Sequence, residues 1–400
     1  MDPLALDPND PRALLAAIGR LRGAALVFAA AERVETPVHL VGGAVRDLLT
    51  GVRPRELDLV VEGDPAPFTA LLGGSVTEHG RFGTATVQLT DGTTIDVARS
   101  RSETYAHPGA LPDVEPAPLT IDLHRRDATI NAIAIDVRTG AVTAAGTALG
   151  DLQARVLRVL HLGSFTDDPT RLWRLARYEV RLGADWDPIT WHLAQAAIGG
   201  GALATVSRER LASELRLALR EPDPLGALAA AARLGLPPHV DRDALRLHQA
   251  ERLAGGEIDH AELVLAAVAT DDPELRRYLA SGAEHALIDA ALALRAPEGH
   301  GWRPGPLPAG ARGTQIRDRF DGLPLAAVAT APDDEAAARW LADLRHRRLL
   351  IDGGALLAAG VPQGEAVGRG LAVARDAMLD GIVRADDREA QLQLAIAAAC

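Results

Sequence analysis

At 400 residues and 42.1 kDa the chain is too long for one compact core and predicts two to four domains. Hydrophobic residues at 48% and charged residues at 24% exclude wholesale disorder, and only 3% aromatics leaves a core of Ala, Leu and Val that favours helices. The net charge of −12 by itself says nothing for a polyanionic partner, yet every one of the 42 basic residues is arginine, whose fork grips phosphate bidentately.

The first thirty-odd residues predict a helix, with Leu14, Ile18, Leu21 and Ala25 at helical spacing after Pro11. The apolar run Ala24 to Ala31 is far too short to span a bilayer, and Met1-Asp2-Pro3 does not resemble a signal peptide. The single cysteine, Cys400, excludes an internal disulfide and a cysteine metal site, so a cytoplasmic protein is expected. From Val38 the texture changes to short β-like runs. Val38 to Val41 predicts a strand that Gly42-Gly43 breaks into a short helix, Ala44 to Leu49, and Leu57 to Val61 predicts the next strand. Thr84 to Leu89 and Thr93 to Ala98 flank Asp91-Gly92 as a hairpin, and Thr129 to Asp136 predicts another strand. Beyond Asp167 the chain is Ala/Leu/Arg-rich helix, interrupted at Pro222-Asp223-Pro224, Pro237-Pro238 and a Gly/Pro-rich stretch from Pro297 to Gly313.

Chemistry concentrates in the first part. Gly42-Gly43-Ala44-Val45-Arg46-Asp47 ends a strand and opens a helix, where glycines admit close approach and free amides attract phosphate. Glu56-Leu57-Asp58 follows at a strand start, so both carboxylates share one face, the donor set Mg²⁺ takes beside phosphate oxygens. In isolation such a pair is more often solvated. Asp96 is either a third carboxylate turned to the same centre or an edge-strand acid, and the sequence leaves both open. In the run Asp122-Leu123-His124-Arg125-Arg126-Asp127, the arginines suit a triphosphate and Asp127 is placed to hold them; His124 reads as incidental. Asp168, Arg171, Arg174 and Arg177 recur every three residues along one helix face, with Leu172, Leu175 and Ala176 opposite. Without other evidence that pattern reads as a solvated arginine stripe. Trp173, Trp186, Trp191 and Tyr178 read as core.

The combination Gly42-Gly43-x-x-Arg46-Asp47, Glu56-x-Asp58 and Arg125-Arg126-Asp127-x-Thr129-x-Asn131-Ala132 resembles the head of class II tRNA nucleotidyltransferases and the similar bacterial poly(A) polymerases. The resemblance continues through Asp167-Asp168-Pro169-Thr170-Arg171-x-x-Arg174-x-x-Arg177 and Glu209-Arg210-x-x-x-Glu214-Leu215. It covers roughly residues 38 to 220, with a less specific likeness from Leu356 to Leu394. Two positions depart from the family: Glu56 stands where Asp is usual, and Ala128 replaces a bulky apolar residue.

The resemblance implies an α+β fold, with a small polymerase-β-like mixed-sheet head followed by an all-helical arm. The expected divisions are a head over 1–160, a neck over 161–225, a body over 226–312 and a tRNA-binding tail over 313–400. It implies Mg²⁺-dependent addition of C or A, or both, to tRNA 3′ ends from CTP and ATP, with tRNA as partner and no membrane or obligate protein partner. Glu56 and Asp58 would hold the metal, with Asp96 as the further catalytic candidate. Gly42, Gly43, Arg46, Arg126, Asp127 and Asn131 would hold the nucleotide, while Asp168 and Arg171, with Arg174 and Arg177, would select the base. Arg317, Arg345, Arg347 and Arg348, beside Arg319, Arg339 and His346, are the candidates for binding RNA. Two other readings are a poly(A) polymerase and, from Glu56, a catalytically inactive RNA-binding module.

Overall fold

A computed structural model describes residues 4–54, 56–80, 83–296 and 305–400. The chain forms two compact units, 1–237 and 238–400. In the first, helices α1 (Pro11–Ile18) and α2 (Ala24–Ala31) precede strand β1 (Val38–Val41), helix α3 (Gly43–Leu49) and strand β2 (Leu57–Val61). The expected single N-terminal helix is thus two. Gly23 adopts a φ of 78° between them, and a side chain there would press on Ile95.

Helix α4 (Ala66–Leu72), β3 (Ser75–His79), β4 (Thr84–Gln88), β5 (Thr94–Arg99), β6 (Arg101–Thr104), β7 (Asp113–Pro116) and α5 (Leu119–His124) follow, then β8 (Ile133–Asp136) and β9 (Val142–Ala144). Seven strands pair in the order β3-β4-β5-β2-β1-β8-β9, and β2 with β5 is the sheet's parallel pair. The mixed sheet matches the expected fold class, and the Asp91-Gly92 hairpin forms between β4 and β5. Residues 129 to 131 depart from expectation. They make a tight 3₁₀ turn in place of the start of a strand, because Asn131 Nδ2 donates to Asp127 Oδ1 and Thr129 Oγ1 to Asp151.

The two faces of the sheet are treated differently. Leu40, Leu57, Leu59, Ile95, Val97, Ile133 and Ile135 share one face and are buried. On the other, α5 brings Leu119 and Leu123 onto Val41, Val60 and Ala134. That cover stops short of the starts of β2 and β5, where Asp58 and Asp96 sit in register on the same face. The uncovered strand ends are the floor of a cleft.

The unit continues through α6 (Ala148–Ala154), α7 (Ser164–Asp167), α8 (Arg171–Leu182), α9 (Pro188–Gly199), α10 (Arg208–Leu219) and α11 (Pro224–Leu234), with a two-stranded pairing of 156–157 and 185–186. The second unit is helical throughout its described residues, and part of the expected Gly/Pro-rich stretch, 297–304, lies outside them. Arg319 is fully buried there, donating to Asp333 and to the Leu294 carbonyl, so it is a core residue and not part of an RNA surface.

Removing one partner of this buried pair leaves an uncompensated charge. Arg319→Met should cost about 3–5 kcal/mol, read as a lower midpoint in urea denaturation, while the double change Arg319→Met with Asp333→Leu should recover most of it.

Candidate active site

The cleft, of about 640 Å³, is lined by eight arginines and five carboxylic acids. That surplus of cations in a chain of net −12 marks an anion site. Its floor is the β2–β5 pair. Carboxylate oxygens of Glu56, Asp58 and Asp96 lie within 4.8 Å of one another, a donor set that suits a divalent metal. Asp96 is therefore turned toward the other two acids. Its Oδ1 accepts a 2.7 Å bond from Thr86 Oγ1 on β4, which orients the carboxylate. Burial, reinforced by the charges of Asp96 and Glu56, pushes the Asp58 carboxyl up to about 6. Three acids held this close need a cation to stay ionised together.

The wall beside them starts at the β1–α3 turn. Gly42 has a φ of 68°, and a Cβ there would come within 2.8 Å of Arg126 Nη1, so both backbone and space require glycine. Gly43 carries no such constraint; a Cβ would meet Arg46 at an ordinary 3.5 Å. Arg46 is buried, donating to Asn131 Oδ1 at 2.8 Å and twice to Asp47, with its guanidinium 5.3 Å from the Tyr178 ring centre.

Arg125 and Arg126 are held by Asp122, not by Asp127 as the sequence reading had it. Arg125 donates to Asp122 Oδ1 and Arg126 to Oδ2, at 2.7 and 2.9 Å. Burial works against the Asp122 charge, but Arg126 and Arg125 outweigh it and keep the carboxyl below its usual range. Arg125 also meets Glu103, whose other oxygen accepts from the Tyr105 hydroxyl.

Asp127 has a different task. Its Oδ1 accepts from Ala128 N and Asn131 Nδ2 and its Oδ2 from Tyr178 Oη, all between 2.8 and 3.0 Å, and Oδ2 also pairs with the Arg174 guanidinium at 2.9 Å. Burial alone would raise this carboxyl; Arg174, Asn131 and Tyr178 instead bring it down to about 2. Asp127 is thus the joint between head and α8, with both oxygens engaged.

On α8 the arginines do not form a solvated stripe; Arg174 is partly exposed and pairs with Asp127. Arg171 and Arg177 are buried. Arg177 pairs with Glu214 on α10 and with Glu221. Arg171 donates to Ser164 Oγ at 2.6 Å and to the Arg125 carbonyl at 2.8 Å. Asp168 precedes the helix, its Oδ1 accepting from Thr170 and, at 2.6 Å, from Arg210 Nη2, which leaves Oδ2 free of hydrogen bonds among the described residues. Of the aromatics, Trp173 is core and Tyr178 is both core and cleft wall, while Trp186 and Trp191 form a half-buried edge-to-face pair.

The basic residues of the second unit are mostly neutralised. Arg317 pairs with Asp318 and Asp376, Arg345 with Glu257, Arg347 with Asp343, and Arg339 donates to the Ala311 carbonyl. Among the described residues, Arg348 bonds backbone carbonyls only.

Asp122, Glu103, Tyr105, Arg210 and Glu221 escaped sequence reasoning as site residues. Asp122 was within reach, since it stands three and four positions before the arginines it holds. Glu103, Arg210 and Glu221 meet their partners across long stretches of chain, and Tyr105 joins the site through Glu103.

Residues 38–158 match the Poly A polymerase head domain family. An A-adding tRNA nucleotidyltransferase of Geobacter sulfurreducens is 42% identical over 219 residues, 53% of this chain and 25% of that protein. The chain spans a quarter of that relative's length and about half that of a second A-adding tRNA nucleotidyltransferase, from Halalkalibacterium halodurans. Among solved structures, a CCA-adding enzyme in an apo form aligns over 97% of this chain and 96% of its own, at 28% identity and a TM-score of 0.74. A tRNA nucleotidyltransferase complexed with a primer tRNA and an incoming ATP analogue is 32% identical, covers 60% of this chain and 74% of its own, and has a TM-score of 0.51. Fold and site together define a nucleotidyltransferase head of the polymerase-β kind. The chain belongs to the class II tRNA nucleotidyltransferase family. Among the described residues, no helix is long and apolar enough to cross a membrane.

The Asp58 environment sets a pH dependence. The carboxyl binds its proton more tightly folded, at about 6, than in the unfolded chain, whose value is near 3.8. Its contribution to stability is therefore full below about 4 and lost as the pH rises through about 6. Without added metal, Asp58→Asn should gain up to about 3 kcal/mol on the wild type between pH 4 and pH 7 in urea titrations. A stability gap that does not change with pH would remove the strained carboxylate.

Proposed function

We propose that the protein adds C or A residues, or both, to the 3′ end of tRNA from CTP and ATP, releasing pyrophosphate. The observation that carries this reading is the three-carboxylate cluster at the foot of an arginine-lined cleft. Glu56 and Asp58, with Asp96, would hold Mg²⁺, which when bound neutralises charge on the reacting oxygens and the departing pyrophosphate. Gly42 admits the triphosphate close to the backbone, and Arg46 and Arg126 meet its oxygens; Asn131, itself held by Asp127, fixes Arg46, and Asp122 fixes Arg126. In the reaction the 3′ oxygen of the RNA forms a bond to the α-phosphorus as the bond to the pyrophosphate oxygen breaks. Asp96 Oδ2, which carries no hydrogen bond among the described residues, is positioned to take the proton of the hydroxyl.

Asp168 and Arg171 would read the base. Oδ2 of Asp168 is free to accept from the exocyclic amine that C and A share, and it repels the carbonyl that U and G present there. Arg174 and Arg177 act through Asp127, Glu214 and Glu221 to set the angle of α8. We assign residues 1–160 as head, 161–225 as neck, 226–312 as body and 313–400 as tail, in a cytoplasmic enzyme with no obligate protein partner. Arg348 and, once displaced from their acids, Arg317, Arg345 and Arg347 are the candidates for RNA contact in the tail.

Tests begin with tRNA transcripts ending before A, CA or CCA, each given ATP, CTP or both. Long adenosine tails on any RNA would favour a poly(A) polymerase, and no addition at all an RNA-binding module. Glu56→Gln should remove most activity, because a neutral amide is a poor Mg²⁺ ligand, while Glu56→Asp should keep or raise it. If Glu56→Gln were as active as wild type, Glu56 would not be a ligand. Asp168→Ala should lower discrimination against UTP and GTP by roughly one to two orders of magnitude, read as ratios of kcat/KM. Equal loss with all four nucleotides would reduce Asp168 to a structural turn residue.

A further inference from the structure

Most of the described arginines are engaged by acids or carbonyls, and of the exposed ones that are not, three stand together on the head. Arg20 and Arg22, in the link between α1 and α2, and Arg53, in the link between α3 and β2, are exposed. None of the three has a side-chain hydrogen bond or ion pair among the described residues; Asp91 lies near enough to Arg22 to feel its charge. They line two adjoining clefts, of about 530 and 420 Å³, that share Leu21, Arg53 and Pro54. The larger cleft ends on Glu56, Leu57 and Thr94, the starts of β2 and β5. Glu56 therefore belongs to the carboxylate cluster on one side and to this groove on the other.

We infer that this groove binds the phosphodiester backbone of the acceptor RNA strand just upstream of its 3′ end. The inference rests on the nucleotidyltransferase reading above. In an in-line displacement the attacking oxygen and the leaving pyrophosphate lie on opposite sides of the phosphorus. The arginine cleft on the α5 side of the sheet takes the triphosphate and base, so the acceptor strand must arrive from elsewhere. Gly23 packs against Ile95 on the opposite face of the sheet from that cleft, and the groove holding Arg22 and Arg53 reaches the carboxylate cluster at Glu56, just before β2. An unpaired guanidinium awaiting a phosphate carries no internal ion pair to break, unlike the paired arginines of the second unit. Leu21, Pro54 and Leu57 supply apolar wall for sugars or bases.

The test reads binding, not turnover. A short single-stranded RNA ending in CC, labelled at its 5′ end, is titrated with the full chain by fluorescence anisotropy between about 50 and 200 mM salt. Replacing Arg20, Arg22 and Arg53 together by Ala should weaken binding about tenfold or more and flatten the slope of log K against log salt by about 2, as expected for three single-strand phosphate contacts. Lysine at all three positions should restore most of the slope, and affinity for ATP should be unchanged. Wild-type affinity and slope in the alanine variant would overturn the groove, and so would an equal loss of ATP affinity, which would mark damage to the nucleotide cleft. Failure of the nucleotidyltransferase reading is distinct: the wild-type chain would then extend no RNA.

Discussion

Everything in the cleft depends on keeping Asp127 ionised where water cannot reach it. A lone buried carboxylate would take up a proton, but this one is met by four partners from two parts of the chain, three hydrogen-bond donors and the Arg174 cation. Two belong to its own turn, Ala128 N and Asn131 Nδ2; the other two, Arg174 and Tyr178, belong to α8. The same Asn131 receives Arg46, and the same Tyr178 lies under Arg46. The carboxylate thereby fixes the helix that carries Arg171 against the turn that carries Arg126. Networks of this kind are expensive when incomplete, which makes the arrangement nearly all-or-none.

Much of the head was legible because its strands are short apolar runs with turn residues at their ends. β1, β2 and the β4–β5 hairpin needed only Gly42, Asp91 and Gly92 to be delimited. The turn at 129–131 was not legible, because the bonds that bend it come from side chains, Asp127 and Asn131, amid residues of strand-like composition. The single N-terminal helix failed for a related reason: apolar spacing continues across Gly19 and Gly23, while the backbone does not. At the site, the spacing of Glu56 and Asp58 indicated a shared face. What no spacing conveyed was that Asp96 sits in register beside Asp58, which is a property of the sheet.

The arginines show where local pattern runs out. A stripe at three-residue intervals looked solvated or ligand-facing, yet Arg177 is sealed by Glu214 and Glu221 from a later helix and its following turn. Arg319 sits among charged neighbours in sequence and is nonetheless core, because Asp333 meets it across the fold. Pairing partners far along the chain are invisible to periodicity. Arg20, Arg22 and Arg53 attracted no notice in the sequence, being short of any repeating pattern, although they stand together beside Glu56 without acids of their own.

The parallel register of β2 and β5 has a consequence for how the molecule is made. Antiparallel neighbours can zip up from a tight hairpin, but Asp58 and Asp96 come side by side only after α4, β3 and β4 have crossed over and returned. The carboxylate cluster is thus a product of high contact order, assembled after the local hairpins around it. A nascent chain that has emerged only as far as β4 holds both glycines, Arg46, Glu56 and Asp58, yet has no third acid to bind a cation with. The three-acid donor set is in this way deferred until β5 has paired with β2.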